Sequence, residues 1–410
     1  MLGYGSANRA VAAYLENQGR KYTIYDDNIP EHTGWIDLTG VELAVKSSGF
    51  PTDHPMVEKC LEERIEVISD LELFYRCFPD RKTITVTGTN GKTTTAALIA
   101  HLMPDADLGG NIGTPLFTFT ESERPLVIEA SSFMLESCRG FRTDVAVVLN
   151  ITPHHLSRHG DFEAYASAKG KIVAKRRPED VLIYNADDER ARVLAKTSPG
   201  VNIPFSVRDK VDGGFIEDGK IYFKDRFLLD ADAITLPGAH NRANALAVLS
   251  AVCAFQPDIV ITAEHFQGFR PFPHRIEHVA TIAGIKYYND SKATNPAALA
   301  AALALFSDEK VLLICGGKEE EADFSLVARE LQAVRRVIAC GENRKLLADF
   351  FRTYGIMVVT YPDLASALDA HDVYLAGITI VLFSPGAPSY DQFHDYAERG
   401  RYFTERIRKK

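Results

Sequence analysis

The chain has 410 residues, 46% hydrophobic and 25% charged, too apolar to stay disordered and too long for one compact core. Its 46 basic and 55 acidic side chains leave a net charge of −9, which argues against a protein built to grip a nucleic-acid backbone or to insert into an anionic membrane. No apolar run approaches the ~20 residues of a membrane span, the first residues lack a secretory pattern, and six scattered cysteines without a C-x-x-C pair fit free thiols in a reducing cytoplasm.

In chain order, Gly3-Tyr4-Gly5-Ser6 precedes an amphipathic stretch from Asn8 to Gln18 and a short strand, Tyr22 to Tyr25, ending in Asp26-Asp27. Strand, glycine turn, helix and strand open a doubly wound nucleotide-binding unit. A second strand, Leu43 to Lys46, runs into Ser47-Ser48-Gly49, and a helix over Asp70 to Phe78 stops before Pro79. Beyond it, strands at Thr83 to Thr87, Leu126 to Glu129, Val145 to Asn150 and Val181 to Asn185 alternate with helices, predicting a mostly parallel sheet. Short strands with glycine turns from Ile203 to Leu236 predict a small antiparallel addition, and a helix from Asn241 to Phe255 follows. Pro271, Phe272 and Pro273 mark a boundary, after which strands at Lys310 to Cys315, Arg336 to Cys340, Met357 to Thr360 and Ile378 to Phe383 alternate with helices. Three α/β domains are expected, over 1–80, 81–270 and 271–410: two Rossmann-like units flanking a central P-loop type domain.

The strongest local signal is Gly88-Thr89-Asn90-Gly91-Lys92-Thr93-Thr94, between the strand at Thr83 and a helix. Backbone N–H groups at such a turn face an anion, the lysine adds charge near the β- and γ-phosphates, and the hydroxyl of Thr93 suits Mg²⁺. Val86 occupies the first glycine position of the general G-x-x-x-x-G-K-[ST] pattern, so the loop is a variant.

That variant loop resembles the one in the Mur ligase and folylpolyglutamate synthetase superfamily. Further blocks follow in the family's order: Gly109-Gly110-Asn111-Ile112-Gly113, Glu129-Ala130-Ser131-Ser132-Phe133, His240-Asn241 with Asn244-Ala245, Pro273-His274-Arg275, Asn289 to Asn295 and Ser384 to Phe393. The likeness covers nearly the whole chain. It is strongest to the Mur ligase branch that adds D-glutamate to UDP-N-acetylmuramoyl-L-alanine in cytoplasmic peptidoglycan precursor synthesis. The opening segment and the Asn289 to Asn295 block speak against a folylpolyglutamate synthetase. Ligases for other amino acids stay open, as do a dinucleotide-dependent oxidoreductase, given Gly3-x-Gly5 with Asp26 about 20 residues on, and a non-catalytic P-loop regulator.

The resemblance implies an ATP-dependent amide ligase acting through an acyl phosphate, with two Mg²⁺ ions and a carbamylated Lys169, working as a monomer. It implies ATP contacts from Gly88 to Thr94 and from Asn241, Asn244, Arg275, Asp290 and Lys292. Thr93, Glu129, His155 and Lys169 would serve the metal, and Lys92, Lys169, His155 and Glu129 the chemistry. Ser6, Ala7, Asp26, Asp27, Ser47, Ser48, Gly49, Asn111 and Ser131 would hold the UDP substrate, and Thr294, Lys318, Ser389 and Tyr396 would hold D-glutamate. Taken alone, Glu129 reads as a solvated strand-end carboxylate and Lys169 as one of a solvated basic run. His154 and His159 read as surface histidines, or with His155 as a weak zinc pattern. Asn8 stands where a third glycine is usual, Met134 where a polar residue is common, and His154 where an Asp is usual. The Gly316 to Phe324 loop has its lysine early and carries Glu319, Glu320 and Glu321.

Overall fold

The computed structural model describes residues 1–34, 36–111, 114–234, 239–266, 269, 274–320 and 322–410. Ile112, Gly113, Glu321 and the Pro271 to Pro273 boundary lie outside the described residues, as does the side chain of His240. Residues 1–234 and 239–269 form one compact unit, and residues 274–410 belong to a second. No helix among the described residues is long and apolar enough to cross a membrane.

In the first unit, β1 (Leu43–Lys46) and β2 (Glu66–Ser69) form a parallel pair. Leu2 bridges to both Lys46 and Tyr25, so the shortened first strand survives as a single pairing. The strand expected over Tyr22 to Tyr25 is likewise reduced to the bridge at Tyr25. Gly3 turns there with φ 76°, and a Cβ would sit 2.4 Å from the Ser47 hydroxyl, which only glycine avoids. Asn8 fills the space of the usual third glycine usefully: its buried amide donates to the carbonyls of Leu2, Gly3 and Val45 at 3.1, 2.6 and 3.2 Å.

A nine-stranded sheet follows, built from β3 (Thr83–Thr87), β4 (Asp107–Gly110), β5 (Leu126–Glu129), β6 (Val145–Val148), β7 (Val181–Asn185), β8 (Val201–Ser206), β9 (Gly214–Glu217), β10 (Lys220–Phe223) and β11 (Arg226–Asp230). Their order is β11-β10-β9-β8-β7-β6-β3-β5-β4. Strands β3, β5 and β6 are buried along their whole length, as parallel strands covered on both faces must be. The expected antiparallel addition is β9 to β11, continuous with the main sheet because β8 and β9 pair in parallel. From β3 the chain runs out to the edge strand β4, returns through β5, then crosses to β6. The carboxyl end of β3 is therefore a switch point, where open α/β sheets bind ligands.

Residues 1–80 and the central sheet share one hydrophobic cluster: Met1, Val11, Val45, Leu71 and Phe74 pack with Leu116, Phe117, Leu126 and Met134. Met134 is thus a core residue. Glu72, on the helix Asp70–Cys77, ties the same two parts. Its fully buried carboxylate accepts the backbone N–H groups of Arg139, Gly140 and Phe141 at 2.8–3.0 Å and the Arg76 Nε at 2.8 Å. Replacing Glu72 by Ala strands three backbone donors, that of Phe141 buried, so about 3 kcal/mol should be lost. Urea denaturation checks this; a loss below about 1 kcal/mol would mean water takes the carboxylate's place.

The second unit holds β12 (Glu277–Ile282), β13 (Ile285–Asn289), β14 (Val311–Cys315), β15 (Val334–Cys340), β16 (Met357–Tyr361) and β17 (Ile380–Phe383), in the order β12-β13-β17-β14-β15-β16. All neighbours are parallel except the β12–β13 hairpin. The loops after β13, β14, β15 and β17 leave from the same edge.

Candidate functional site

The loop after β3 is shaped by Gly91 and by asparagines on either side of it. Gly91 caps the helix Lys92–Leu102 in the left-handed region, and a Cβ there would lie 2.4 Å from Asn244 Oδ1. Asn244 in turn takes a hydrogen bond partner in Asn241, 3.2 Å away on the helix Ala239–Phe255. On the other side Asn150, at the end of the β6 run, accepts from the Asn90 N–H at 2.9 Å and donates to the Asn90 carbonyl at 3.1 Å. Thr89 is held by the Thr152 carbonyl at 3.1 Å and the Tyr165 hydroxyl at 3.0 Å. Lys92 folds back over the loop and donates to the carbonyls of Gly88 and Thr89 at 2.8 and 2.9 Å. Thr93 and Thr94 are buried in the first turn. Asn150 was not singled out from the sequence, although a polar side chain at the carboxyl end of a buried strand is the signal that would have found it.

Lys169 comes to the same place from the helix Phe162–Gly170. Only 1% exposed, it donates to the Gly88 carbonyl at 2.8 Å and sits 4.9 Å from the centre of the Tyr165 ring. Burial, then the nearby charge of Lys92, holds its pKa well below the usual lysine range, against the pull of Glu129. It is not a solvated member of the basic run. Glu129 is also buried rather than a solvated strand end, and it accepts the Asn111 side-chain amide at 2.9 Å.

The turn after β6 gathers the histidines. His155 has φ 54° and opens the one-turn helix Leu156–His159. Its ring lies 3.6 Å from that of His154 and 4.9 Å from that of Phe133. Burial, then Lys92 and Lys169, pushes the His155 pKa down to about 3, and burial with His155 pushes that of His154 well below 6.5. Burial of this kind favours the neutral form of both rings. The surface reading of His159 is corrected: its side chain is 4% exposed and meets the Ser132 hydroxyl at 3.0 Å. Among the described residues no three His, Cys, Asp or Glu side chains converge to hold a metal. Lys169 feels the charges of Lys92 and Glu129, and His155 those of Lys92 and Lys169, so a carboxylate, an imidazole and a buried amine gather near the phosphate loop. The carboxylate of Glu129 and the hydroxyl of Thr93 are oxygen donors of the kind Mg²⁺ takes.

In the opening segment, Ser6 and Ala7 begin the helix Ser6–Asn17 beside the Gly3 turn. Asp26 accepts the Tyr4 N–H at 2.6 Å, and Asp27 meets the Tyr25 hydroxyl at 2.8 Å and His54 at 3.1 Å. Ser47 pairs with Leu2, while the carbonyls of Ser48 and Gly49 face Arg158 at 3.5 and 3.4 Å. Ser131 caps the short helix Ser132–Leu135 through its hydroxyl.

Within the second unit, Asp290 follows β13 and is buried, which pushes its pKa up to about 7 although Ser384 donates to it at 2.7 Å and Arg275 lies near. Lys292 lies 3.7 Å from the Tyr396 ring centre. Arg399, 3% exposed, donates to the carbonyls of Ala387, Pro388 and Ser291 at 3.0, 3.1 and 2.8 Å, shaping the turn before Ser389. Lys318, whose backbone N–H also reaches the Pro388 carbonyl at 2.9 Å, pairs with Glu342 at 2.8 Å. Thr294 sits half-buried beside the N-cap Asn295.

Residues 86–252 match the Mur ligase middle domain, and residues 274–386 match the Mur ligase, glutamate ligase domain. The UDP-N-acetylmuramoylalanine--D-glutamate ligase of Streptococcus pneumoniae serotype 2 is 34% identical over 99% of this chain and 96% of its own length. The enzyme of that name from Syntrophus aciditrophicus is also 34% identical, over 100% of this chain and 97% of its own. Among solved structures, the UDP-N-acetylmuramate-alanine ligase MurC of Thermotoga maritima shares the fold, with a TM-score of 0.65, 20% identity and coverage of 100% and 98% of the two chains. With a phosphate-type loop at the switch point of its central sheet and this likeness along its full length, the chain belongs to the Mur ligase family.

Proposed function

We propose that the chain is the ATP-dependent ligase that joins D-glutamate to UDP-N-acetylmuramoyl-L-alanine, in the cytoplasm and as a monomer. The observation that carries this reading is the 34% identity, over 99% of the chain, to ligases of that name. In the first step a carboxylate oxygen of the substrate attacks the γ-phosphorus of ATP and ADP leaves. The neutral amine of D-glutamate then attacks the acyl carbon, and phosphate departs with the bonding electrons. These steps crowd anions together, so positioning and cations supply most of the rate.

Lys92 would exchange the Gly88 and Thr89 carbonyls for phosphate oxygens, while the N–H groups from Gly88 to Thr94 face the triphosphate. Asn241 and Asn244, the latter beside Gly91, would add polar contacts on the ATP side. Thr93, Glu129 and the neutral ring of His155 are the donors for Mg²⁺, which when bound would neutralise phosphate charge. The lowered pKa of Lys169 favours the free amine that adds to the carbon of CO₂; the adduct would lose a proton and become a long carboxylate for a second Mg²⁺. Ser6, Ala7, Asp26, Asp27 and the Ser47 to Gly49 loop would take the UDP end, and Asn111 and Ser131 the muramoyl side. Arg275, Asp290 and Lys292 would complete the nucleotide site, and the domains would run over 1–80, 81–270 and 271–410.

Phosphate release screened across amino acids, with UDP-N-acetylmuramoyl-L-alanine present, tests the assignment. Release with D-glutamate supports it; release with another amino acid alone moves the chain to a different ligase specificity. For D-glutamate itself, Thr294, Ser389 and Tyr396 offer hydroxyls, and Lys318 is the cation once it leaves Glu342. Lys318→Ala should raise the KM for D-glutamate about 10-fold, the ~1.4 kcal/mol of a modest charge-assisted contact. The KM for the UDP substrate should stay put. Untouched D-glutamate kinetics would hand the role to another cation.

A further inference from the structure

Between the opening segment and the central sheet lies a closed ring of charged groups that no step above uses. Lys46, at the end of β1 and with its side chain fully buried, donates to Glu136 at 3.0 Å and to the Phe50 carbonyl at 3.0 Å. Arg158 donates to the same Glu136 oxygen at 3.1 Å and to the same Phe50 carbonyl at 2.6 Å. Its fork also reaches Ser48 and Gly49, so three successive carbonyls of one loop point at one guanidinium. The other Glu136 oxygen lies 3.6 Å from His159.

Two cations on one carboxylate are an expensive way to fill a buried space, since apolar side chains would pack there at lower desolvation cost. What the ring supplies is register. Arg158 belongs to a helix of one turn that begins at His155 in a left-handed conformation, too short to hold its own position. Its guanidinium lies 4.9 Å from the Phe133 ring centre, the ring that also meets His155 at 4.9 Å. A planar fork suits three carbonyls in a fixed arrangement as a lysine cannot.

We propose that Arg158 is a positioning residue that locks the Ser47 to Phe50 loop to the turn carrying His155. Through it, the UDP-substrate loop and the phosphate end of the central site are set in one geometry. The proposal rests on the functional reading above for the two roles it connects. The test uses the full chain with Arg158→Met and Arg158→Lys, read by steady-state kinetics, melting temperature and amide hydrogen exchange. Arg158→Met should raise the KM for the UDP substrate at least ~10-fold and lower kcat, with the KM for ATP changed less than about twofold. Exchange should quicken in residues 47–50 and 152–159 together while the helix Lys92–Leu102 keeps its protection. Arg158→Lys should recover only part of the UDP-substrate KM. Unchanged exchange in residues 47–50 would overturn the proposal. So would a parallel rise of both KM values with a lower melting temperature, the mark of a merely structural residue. A wild-type protein without D-glutamate ligation would fell the functional reading alone, because hydrogen exchange reads the coupling without turnover.

Discussion

Lys92→Ala should lower kcat by about 10³-fold or more, the scale seen when a cation or donor at a developing phosphoryl charge is removed. Affinity for the UDP substrate should change by less than about threefold, because Lys92 acts on the loop after β3 and the UDP end is assigned to the turns after Leu2, Tyr25 and β1. The fold should tolerate the change: Lys92 Nζ bonds loop carbonyls beside it in the helix start, at 2.8 and 2.9 Å, and Gly91 and Asn150 continue to shape the loop. Calorimetric titration with UDP-N-acetylmuramoyl-L-alanine, beside single-turnover phosphate release, separates the two effects. An equal loss of UDP-substrate affinity would contradict the division of labour between the segments.

Lys169→Ala should cost about 100-fold or more in kcat, and acetate or formate should restore part of it by supplying the carboxylate that the carbamate would have been. The substitution removes a buried side chain that reaches Thr87, Gly88 and the Tyr165 ring, and the space it vacates is where the small carboxylate would bind. An active and acetate-insensitive variant would reduce Lys169 to a packing role. Stability gives a second reading that needs no turnover. The folded pKa of Lys169 lies well below its unfolded value of 10.5, so the unfolded chain binds more protons in that interval. Wild-type stability should therefore rise with pH up to about 10.5, and Lys169→Met should flatten the slope. Melting curves across pH 7 to 10 in CO₂-free buffer check this; identical slopes would mean the amine is protonated in the folded state.

The phosphate loop was legible because its glycines, lysine and flanking strand are consecutive, and the strands β5 and β14 because parallel strands buried on both faces read as unbroken apolar runs; the role of Glu129 came only from resemblance. Lys169 was legible only through resemblance. Its neighbours Lys171, Lys175 and Arg176 make a basic run, and nothing local says that one member turns inward beneath Tyr165. The β12–β13 hairpin was missed since Glu277–Ile282 mixes charged and apolar residues at an edge, where one face meets solvent. Asn8 looked like a defect in a glycine pattern, yet the space a glycine would leave is filled by an amide bonded to three carbonyls, a long-range arrangement invisible to spacing. The helix Lys92–Leu102 starts four residues earlier than its apolar pattern, because capping at Gly91 rather than hydrophobicity sets its beginning.

The aromatic cluster of Tyr14, Phe74, Phe78 and Phe117 has a consequence for how such ligases diversify. Phe117 comes from the central sheet's side of the chain, yet its ring sits 5.1 Å from Tyr14 and 5.5 Å from Phe74 of the opening segment. A two-stranded sheet with its flanking helices cannot close a core of this size alone. Expressed separately, residues 1–80 should therefore stay largely unfolded, and the remainder should carry an exposed apolar patch that promotes aggregation. An ancestor could not trade this front piece for another as a bead on a string. Any exchange had to carry a matching partner for Phe117 with it.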